Sequence, residues 1–213
     1  MIFDINIARQ VAKFLLEKKA VILRPNDPFT WASGWKSPIY CDNRILLSFP
    51  DVRVYLKVNL SKIISTKFSE VENIVGVATA GISHATLVAD KLNLPMAYGR
   101  TAAKDHGRQN LIEGKVDIDQ KIVVVEDLIS TGKSSLQVVN YLKEIPTHVI
   151  GLIAIFSYDF PVANADMDAI GLKHYTLSDY NVLIEEALAM GYIKDADLDL
   201  LKEWRKNPGE WGR

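Results

Sequence analysis

The sequence predicts an α/β fold with a central, mostly parallel sheet flanked by helices, and three observations point to it. Short strand-like runs at 74–78, 95–99, 122–125 and 149–156 are separated by helix-patterned segments, the order that builds parallel βαβ units. The clearest of these runs are apolar throughout, as strands covered on both faces must be. A hydrophobic share of 48% against 24% charged over 213 residues supplies a core for one compact domain without disulfide or metal staples.

Taken in order, residues 6–20 place Ile7, Val11, Phe14 and Leu15 at helical spacing with lysines opposite. Arg24-Pro-Asn-Asp-Pro28 interrupts the chain as a turn, and 29–44 is aromatic and polar without a period. Helical spacing returns over 51–69. After the strand at 74–78 come a helix over 84–92, a strand over 95–99 and a long polar loop of about 15 residues past Gly99. The buried strand 122–125 leads into a helix over 133–144. Strands follow at 149–156 and 174–177, then helices at 181–190 and 195–206, stopped by Pro208-Gly209. The division is residues 1–70 as an N-terminal helix and hood, 71–180 as the α/β core with a lid at 100–114, and 181–213 as C-terminal helices packing on that core.

Composition narrows the function classes. With 25 Lys+Arg against 26 Asp+Glu, no basic field marks a nucleic-acid binder. Only 12 Gly and 8 Pro exclude collagen-like or disordered chains. The single cysteine, Cys41, forms neither an internal disulfide nor a cysteine-based zinc site, which suits a reducing, cytoplasmic compartment. No apolar stretch approaches the roughly 20 residues that cross a bilayer. The N-terminus carries an acid where a signal peptide carries base.

In such sheets ligands gather beyond the carboxyl ends of the strands, so the loops starting at Thr79, Arg100 and Glu126 carry the expected chemistry. The run Ile122 to Ser135, IVVVEDLISTGKSS, is the most informative. Its β-branched residues end at Glu126-Asp127, and Ser130-Thr131-Gly132 then opens a helix. A helix N-terminus offers free N–H groups and a positive dipole end to a phosphate, and Gly132 permits close approach. The hydroxyls of Ser130, Thr131 and Ser134 add donors. The two acids repel a phosphate but accept hydrogen bonds from neutral hydroxyls. Phosphate and vicinal diol together describe a sugar phosphate such as ribose 5-phosphate. A Walker A loop is excluded, because position 127 is Asp where that motif needs glycine.

Residues Ile122 to Ser134 resemble the phosphoribosyl-pyrophosphate (PRPP) signature of the type I phosphoribosyltransferases. The resemblance implies that family's fold, with Glu126 and Asp127 on the ribose hydroxyls and Leu128, Ile129, Ser130, Thr131, Gly132, Lys133 and Ser134 around the 5′-phosphate. Lys104-Asp-His-Gly107, within the segment Arg100 to Glu113, is similar to the catalytic lid of orotate phosphoribosyltransferases. Phe29-Thr-Trp-Ala-Ser-Gly-Trp-Lys-Ser-Pro-Ile-Tyr-Cys-Asp42 resembles their base-covering hood. These likenesses imply a homodimer whose lid is shared between subunits, with Arg100, Lys104 and His106 as catalytic groups that also bind PRPP beside Thr79 and Ala80. They further imply Ser130, Phe29 and Tyr40 on orotate. The chain departs from well-studied members at Ala32, Ala80 and Thr101, each in place of a lysine, and at Ser157-Tyr158, in place of an orotate-holding arginine.

The implied reaction moves ribose 5-phosphate from PRPP to N1 of orotate, giving orotidine 5′-monophosphate and pyrophosphate for UMP biosynthesis. No permanent metal site is expected; Mg²⁺ arrives on the substrate phosphates, with Asp127 the nearest carboxylate. Two other functions fit the sequence less well. A purine-base phosphoribosyltransferase conflicts with the hood and lid, and a non-catalytic PRPP-sensing regulator needs a basic stripe the chain lacks. His84, His148 and His174 read as structural, Cys41 as inert packing, and Trp204 and Trp211 as part of a solvated amphipathic surface or dimer edge.

Overall fold

The computed structural model describes residues 1–31, 33–101 and 111–211. Helix α1 (Ile5–Glu17) starts where the Asp4 carboxylate accepts from the backbone N–H groups of Asn6 at 2.9 Å and Ile7 at 3.1 Å. Its buried stripe of Ile7, Ala8, Val11, Ala12, Leu15 and Leu16 has helical period. Two short antiparallel pairs follow. Strand β1 (Val21–Leu23) pairs with β4 (Ile39–Cys41), and β2 (Phe29–Thr30) with β3 (Lys36–Ser37). The aperiodic aromatic segment is therefore a pair of small ribbons. A 3₁₀ segment, Asn43–Ser48, leads into α2 (Pro50–Lys67), with proline at the first turn where its missing N–H costs nothing.

The main sheet holds β5 (Asn73–Val77), β6 (Met96–Gly99), β7 (Ile112–Glu113), β8 (Lys121–Ile129), β9 (His148–Ser157) and β10 (His174–Asp179), in the order β10-β9-β8-β5-β6-β7. All neighbours are parallel except β6 and β7. Helix α3 (Ala80–Leu92) follows β5, α4 (Lys133–Glu144) follows β8, and α5 (Pro161–Ala169) follows β9. Helices α6 (Tyr180–Ala189) and α7 (Leu198–Lys206) close the described chain, with a 3₁₀ turn at Asp195–Asp197 before α7.

Period-2 alternation sorts the strand residues into two layers. Ile74, Val123, Val125, Ile153 and Ile155 pack with α1, α2, α3, α6 and α7. Val75, Val77, Ile122, Val124, Leu152 and Ala154 pack with α4 and α5. The residues of α1 and α2 thus share one apolar cluster with the C-terminal helices.

Three expectations change. The acid pair does not end its strand: β8 pairs with β9 through Ile129↔Ser157, since ladder bonds are backbone bonds indifferent to side-chain charge. The polar stretch after Gly99 returns to the sheet as β7, with Tyr98↔Glu113 and Gly99↔Ile112. And Trp204 is no surface group. It is fully buried, its ring 5.4 Å from those of Phe160 and Tyr180, and its indole N–H donates to the Lys36 carbonyl at 3.1 Å. The charged residues of α7 cover its outer side, so composition hid the inner one.

Candidate active site

Strand order creates the site. From β5 the chain turns toward β6, whereas from β8 it turns toward β9, so the loops after β5 and β8 diverge and leave a crevice. The β5–β8 ladder stops at Gly76↔Val125 while β8–β9 continues four residues further. Beyond Val125, one edge of β8 is therefore open, and Glu126 and Asp127 stand there.

A cavity of about 410 Å³ fills the crevice. Of the sequence-predicted residues, Thr79, Ala80, Glu126, Asp127, Leu128, Ser130, Thr131, Gly132, Lys133 and Ser134 line it. Ile129 does not: its side chain joins the apolar cluster under α4, and its carbonyl accepts from the Tyr158 N–H at 3.0 Å. Gly132 adopts φ +76° as the N-cap of α4, whose first residues Lys133 and Ser134 line the cavity together with 130–132. Gly81 lets α3 meet β8 beneath the acids, where a Cβ would lie 2.7 Å from the Val125 carbonyl oxygen.

Glu126 is almost wholly buried, its carboxylate accepting from the Ser135 hydroxyl at 3.1 Å and the Asp127 N–H at 3.0 Å. Burial first, and the Asp127 charge second, push Glu126 well above the usual carboxylate range. Burial raises Asp127 too, while hydrogen bonds and the Arg44 charge act in the opposite direction. The pair consequently gives up its protons at a higher pH than exposed carboxylates do.

A second cavity of about 430 Å³ is lined by Phe29, Thr30, Trp31, Tyr40, Cys41, Leu128, Ser130 and Tyr158. The expected base-contacting residues Phe29, Tyr40 and Ser130 are all here. Cys41, Leu128 and Ser130 belong to both cavities, so the two adjoin. Burial pushes the Cys41 thiol up, with Asp127 and Asp42 adding in the same direction, which removes it as a nucleophile.

Arg100 is not among the lining residues: its N–H donates to the Leu111 carbonyl at 2.7 Å and its guanidinium lies 3.7 Å from Glu113. Lys104 and His106 lie outside the described residues. Sequence reasoning missed Asn43, Arg44 and Tyr158. Asn43 is buried and its amide donates to the Asp127 carbonyl at 2.7 Å, fastening the hood ribbons to β8. The dense polar run Asp42-Asn43-Arg44 directly after β4 was the available signal.

His84, on α3 below the Thr79 turn, is buried with no partner for Nε2 among the described residues, and burial lowers it from 6.5 to about 4. It stays neutral through the physiological range. Below pH 6.5 the unfolded chain takes up a proton that native His84 refuses. Its contribution is therefore complete above 6.5 and lost as pH falls toward 4, about 3 kcal/mol in all. Urea unfolding should show this decline, and His84→Gln should flatten it.

Comparison with known proteins agrees with this geometry. Residues 56–173 match the family model described as a phosphoribosyl transferase domain. An orotate phosphoribosyltransferase from Cytophaga hutchinsonii is 53% identical over 206 residues, covering 97% of this chain and 99% of the relative. The chain belongs to the orotate phosphoribosyltransferase family. Another orotate phosphoribosyltransferase, from Porphyromonas gingivalis, is 48% identical over 97% of this chain and 99% of its own length. Among solved structures, the orotate phosphoribosyltransferase of Aeropyrum pernix superposes with a TM-score of 0.76 at 24% identity, over 86% of this chain and 99% of that one. The UMP synthase of Leishmania donovani gives 0.78 at 21% identity, over 93% of this chain, which spans 42% of that longer one. At these identities the superpositions carry the family fold, and the α/β architecture expected from the sequence is the one observed.

Proposed function

We propose that this chain transfers ribose 5-phosphate from PRPP to N1 of orotate, producing orotidine 5′-monophosphate and pyrophosphate in UMP biosynthesis. One observation carries the reading: a cavity built for a phosphorylated diol opens, across Cys41, Leu128 and Ser130, onto an aromatic-walled cavity sized for a planar base. A ribose held in the first presents C1 to a base held in the second. The 5′-phosphate takes the hydroxyls and N–H groups of 130–134 at the start of α4. The ribose hydroxyls donate to Glu126 and Asp127.

In the reaction, the C1–O bond to pyrophosphate breaks and its electron pair leaves with pyrophosphate, giving C1 oxocarbenium character. The N1 lone pair of orotate forms the new C1–N bond, and the N1 proton passes to the departing pyrophosphate. Ionised Asp127 and Glu126 steady the positive sugar, and the lid cations Arg100, Lys104 and His106 take the charge gathering on pyrophosphate. A closed lid keeps water from the sugar cation.

Mg²⁺ fits this site as a passenger of the diphosphate. Among the described residues no group of three or more His, Cys, Asp or Glu side chains gathers to hold an ion permanently. A carboxylate beside a phosphate-binding crevice, with Asp127 on its wall, suits an ion that keeps most of its waters. When bound, it neutralises charge on pyrophosphate. We assign the working form as a homodimer sharing its lids between subunits, from the family resemblance of the 100–114 segment. The single cysteine favours a cytoplasmic setting. Among the described residues no helix is long and apolar enough to cross a membrane.

The test follows the near-ultraviolet absorbance of orotate with purified protein, PRPP and Mg²⁺, beside Lys104→Ala. Orotate should disappear only when PRPP is present, with the variant slower by about 10²–10³. No consumption by the wild-type protein overturns the orotate assignment.

A further inference from the structure

We propose that Arg44 is a binding residue for the diphosphate of PRPP, an assignment that rests on the function proposed above. Arg44 opens the 3₁₀ segment beside Asn43, whose amide is fastened to the Asp127 carbonyl, so the backbone carrying Arg44 is tied to the acid-bearing strand. Its side chain lines the crevice with Thr79, Ala80, Glu126 and Asp127. Lys133 is the other cation among the described lining residues, and it sits at the opening of α4 with the phosphate turn. The crevice therefore carries one cation at each of two places.

The orientation of the sugar decides which anion Arg44 meets. With the 5′-phosphate at 130–134 and the 2′- and 3′-hydroxyls on the acid pair, C1 follows C2 away from the phosphate turn. The substituents of C1 then emerge beside Asp127. Arg44 is close enough to Asp127 for its charge to favour the ionised form of that carboxyl. Of the two substituents of C1, the base enters the aromatic cavity, whose lining among the described residues includes no charged group and does not include Arg44. The diphosphate is left facing Arg44 and the Thr79-Ala80 turn.

The guanidinium is held ready. Nε and one Nη2 hydrogen donate to the two Asp42 oxygens at 2.7 and 2.9 Å, and the side chain is 64% exposed. That fork fixes the plane while leaving Nη1 directed elsewhere, and a planar guanidinium matches the oxygens of a phosphate pairwise. Asp42, a half-buried carboxylate at 19% exposure, balances the charge in the free crevice; the greater charge of a diphosphate outcompetes that single carboxylate.

The experiment compares the full-length protein with Arg44→Ala and Arg44→Lys in the presence of Mg²⁺. It reads the KM for PRPP, the KM for orotate, and inhibition against PRPP by inorganic pyrophosphate and by ribose 5-phosphate, which lacks the diphosphate. Arg44→Ala should weaken PRPP and pyrophosphate about tenfold or more, with partial recovery in Arg44→Lys. Ribose 5-phosphate and orotate should shift by less than about twofold. Equal weakening of ribose 5-phosphate overturns the proposal by showing a crevice-wide disturbance. A shift confined to orotate overturns it by placing the cation on the base, and no shift at all overturns it outright. These failures occur in a protein that still turns over orotate, whereas an inactive wild type strikes at the function beneath it.

Discussion

Asp127→Asn and Glu126→Gln should each lower kcat/KM by about 10²–10³, with most of the loss in kcat. The fold keeps its ladder bonds to β9 in either variant, so the change falls on the charge that faces the sugar. The amides still bond the ribose hydroxyls, which holds ground-state affinity, yet they carry no negative charge to offset a sugar cation. The pair also fixes a pH dependence. Because burial raises both carboxyls, the free protein loses the pair's protons at a higher pH than solvated carboxylates would, whereas the hydroxyl-accepting form is ionised. PRPP binding should therefore release a proton and tighten as pH rises through the titration of the pair. Folding stability moves the other way, decreasing over the same rise, since the native state binds more protons than the unfolded one. Calorimetric titration in buffers of different ionisation enthalpy reads the proton directly, and Glu126→Gln should abolish most of it.

The legibility of this site follows from where its information lies along the chain. The acid pair, the hydroxyl turn and Gly132 are contiguous, so their chemistry could be read as one run. The strands were visible because β5, β8 and β9 are covered on both faces and must be apolar, as Asn73–Val77 is buried at every position. The limits of β8 were not visible, because the carboxylates that mark a functional end do not end a backbone ladder. Long-range partners were the least legible. Asn43 meets Asp127 across 84 residues, and Arg44 stands at the crevice beside that tie. Phe29, Tyr40 and Ser130 could be placed together only through a resemblance, whereas Tyr158 reached the same cavity from the far end of β9. Helix propensity and charge patterning describe one segment at a time; a site assembled from four segments exceeds their range.

Trp204 shows the same limit with the largest consequence for stability. Its ring packs at 5.7 Å from both Trp31 and Tyr158, the two aromatics that wall the base cavity, and its N–H holds the Lys36 carbonyl on β3. One side chain of α7 thus braces both the hood ribbon and the loop after β9. Trp204→Ala should cost about 3–5 kcal/mol, the range for deleting a buried aromatic, and lower the denaturant midpoint without changing its slope. Trp204→Phe separates bracing from bulk, because it keeps most of the apolar ring and loses the hydrogen bond. That variant should remain folded, with a loss of about 1 kcal/mol. Its orotate KM should rise severalfold while its PRPP KM stays within about twofold, since the PRPP crevice is tied to β8 by Asn43 rather than by α7. Equal changes in both constants, or in neither, would show that the C-terminal helix supports the fold without shaping the base cavity.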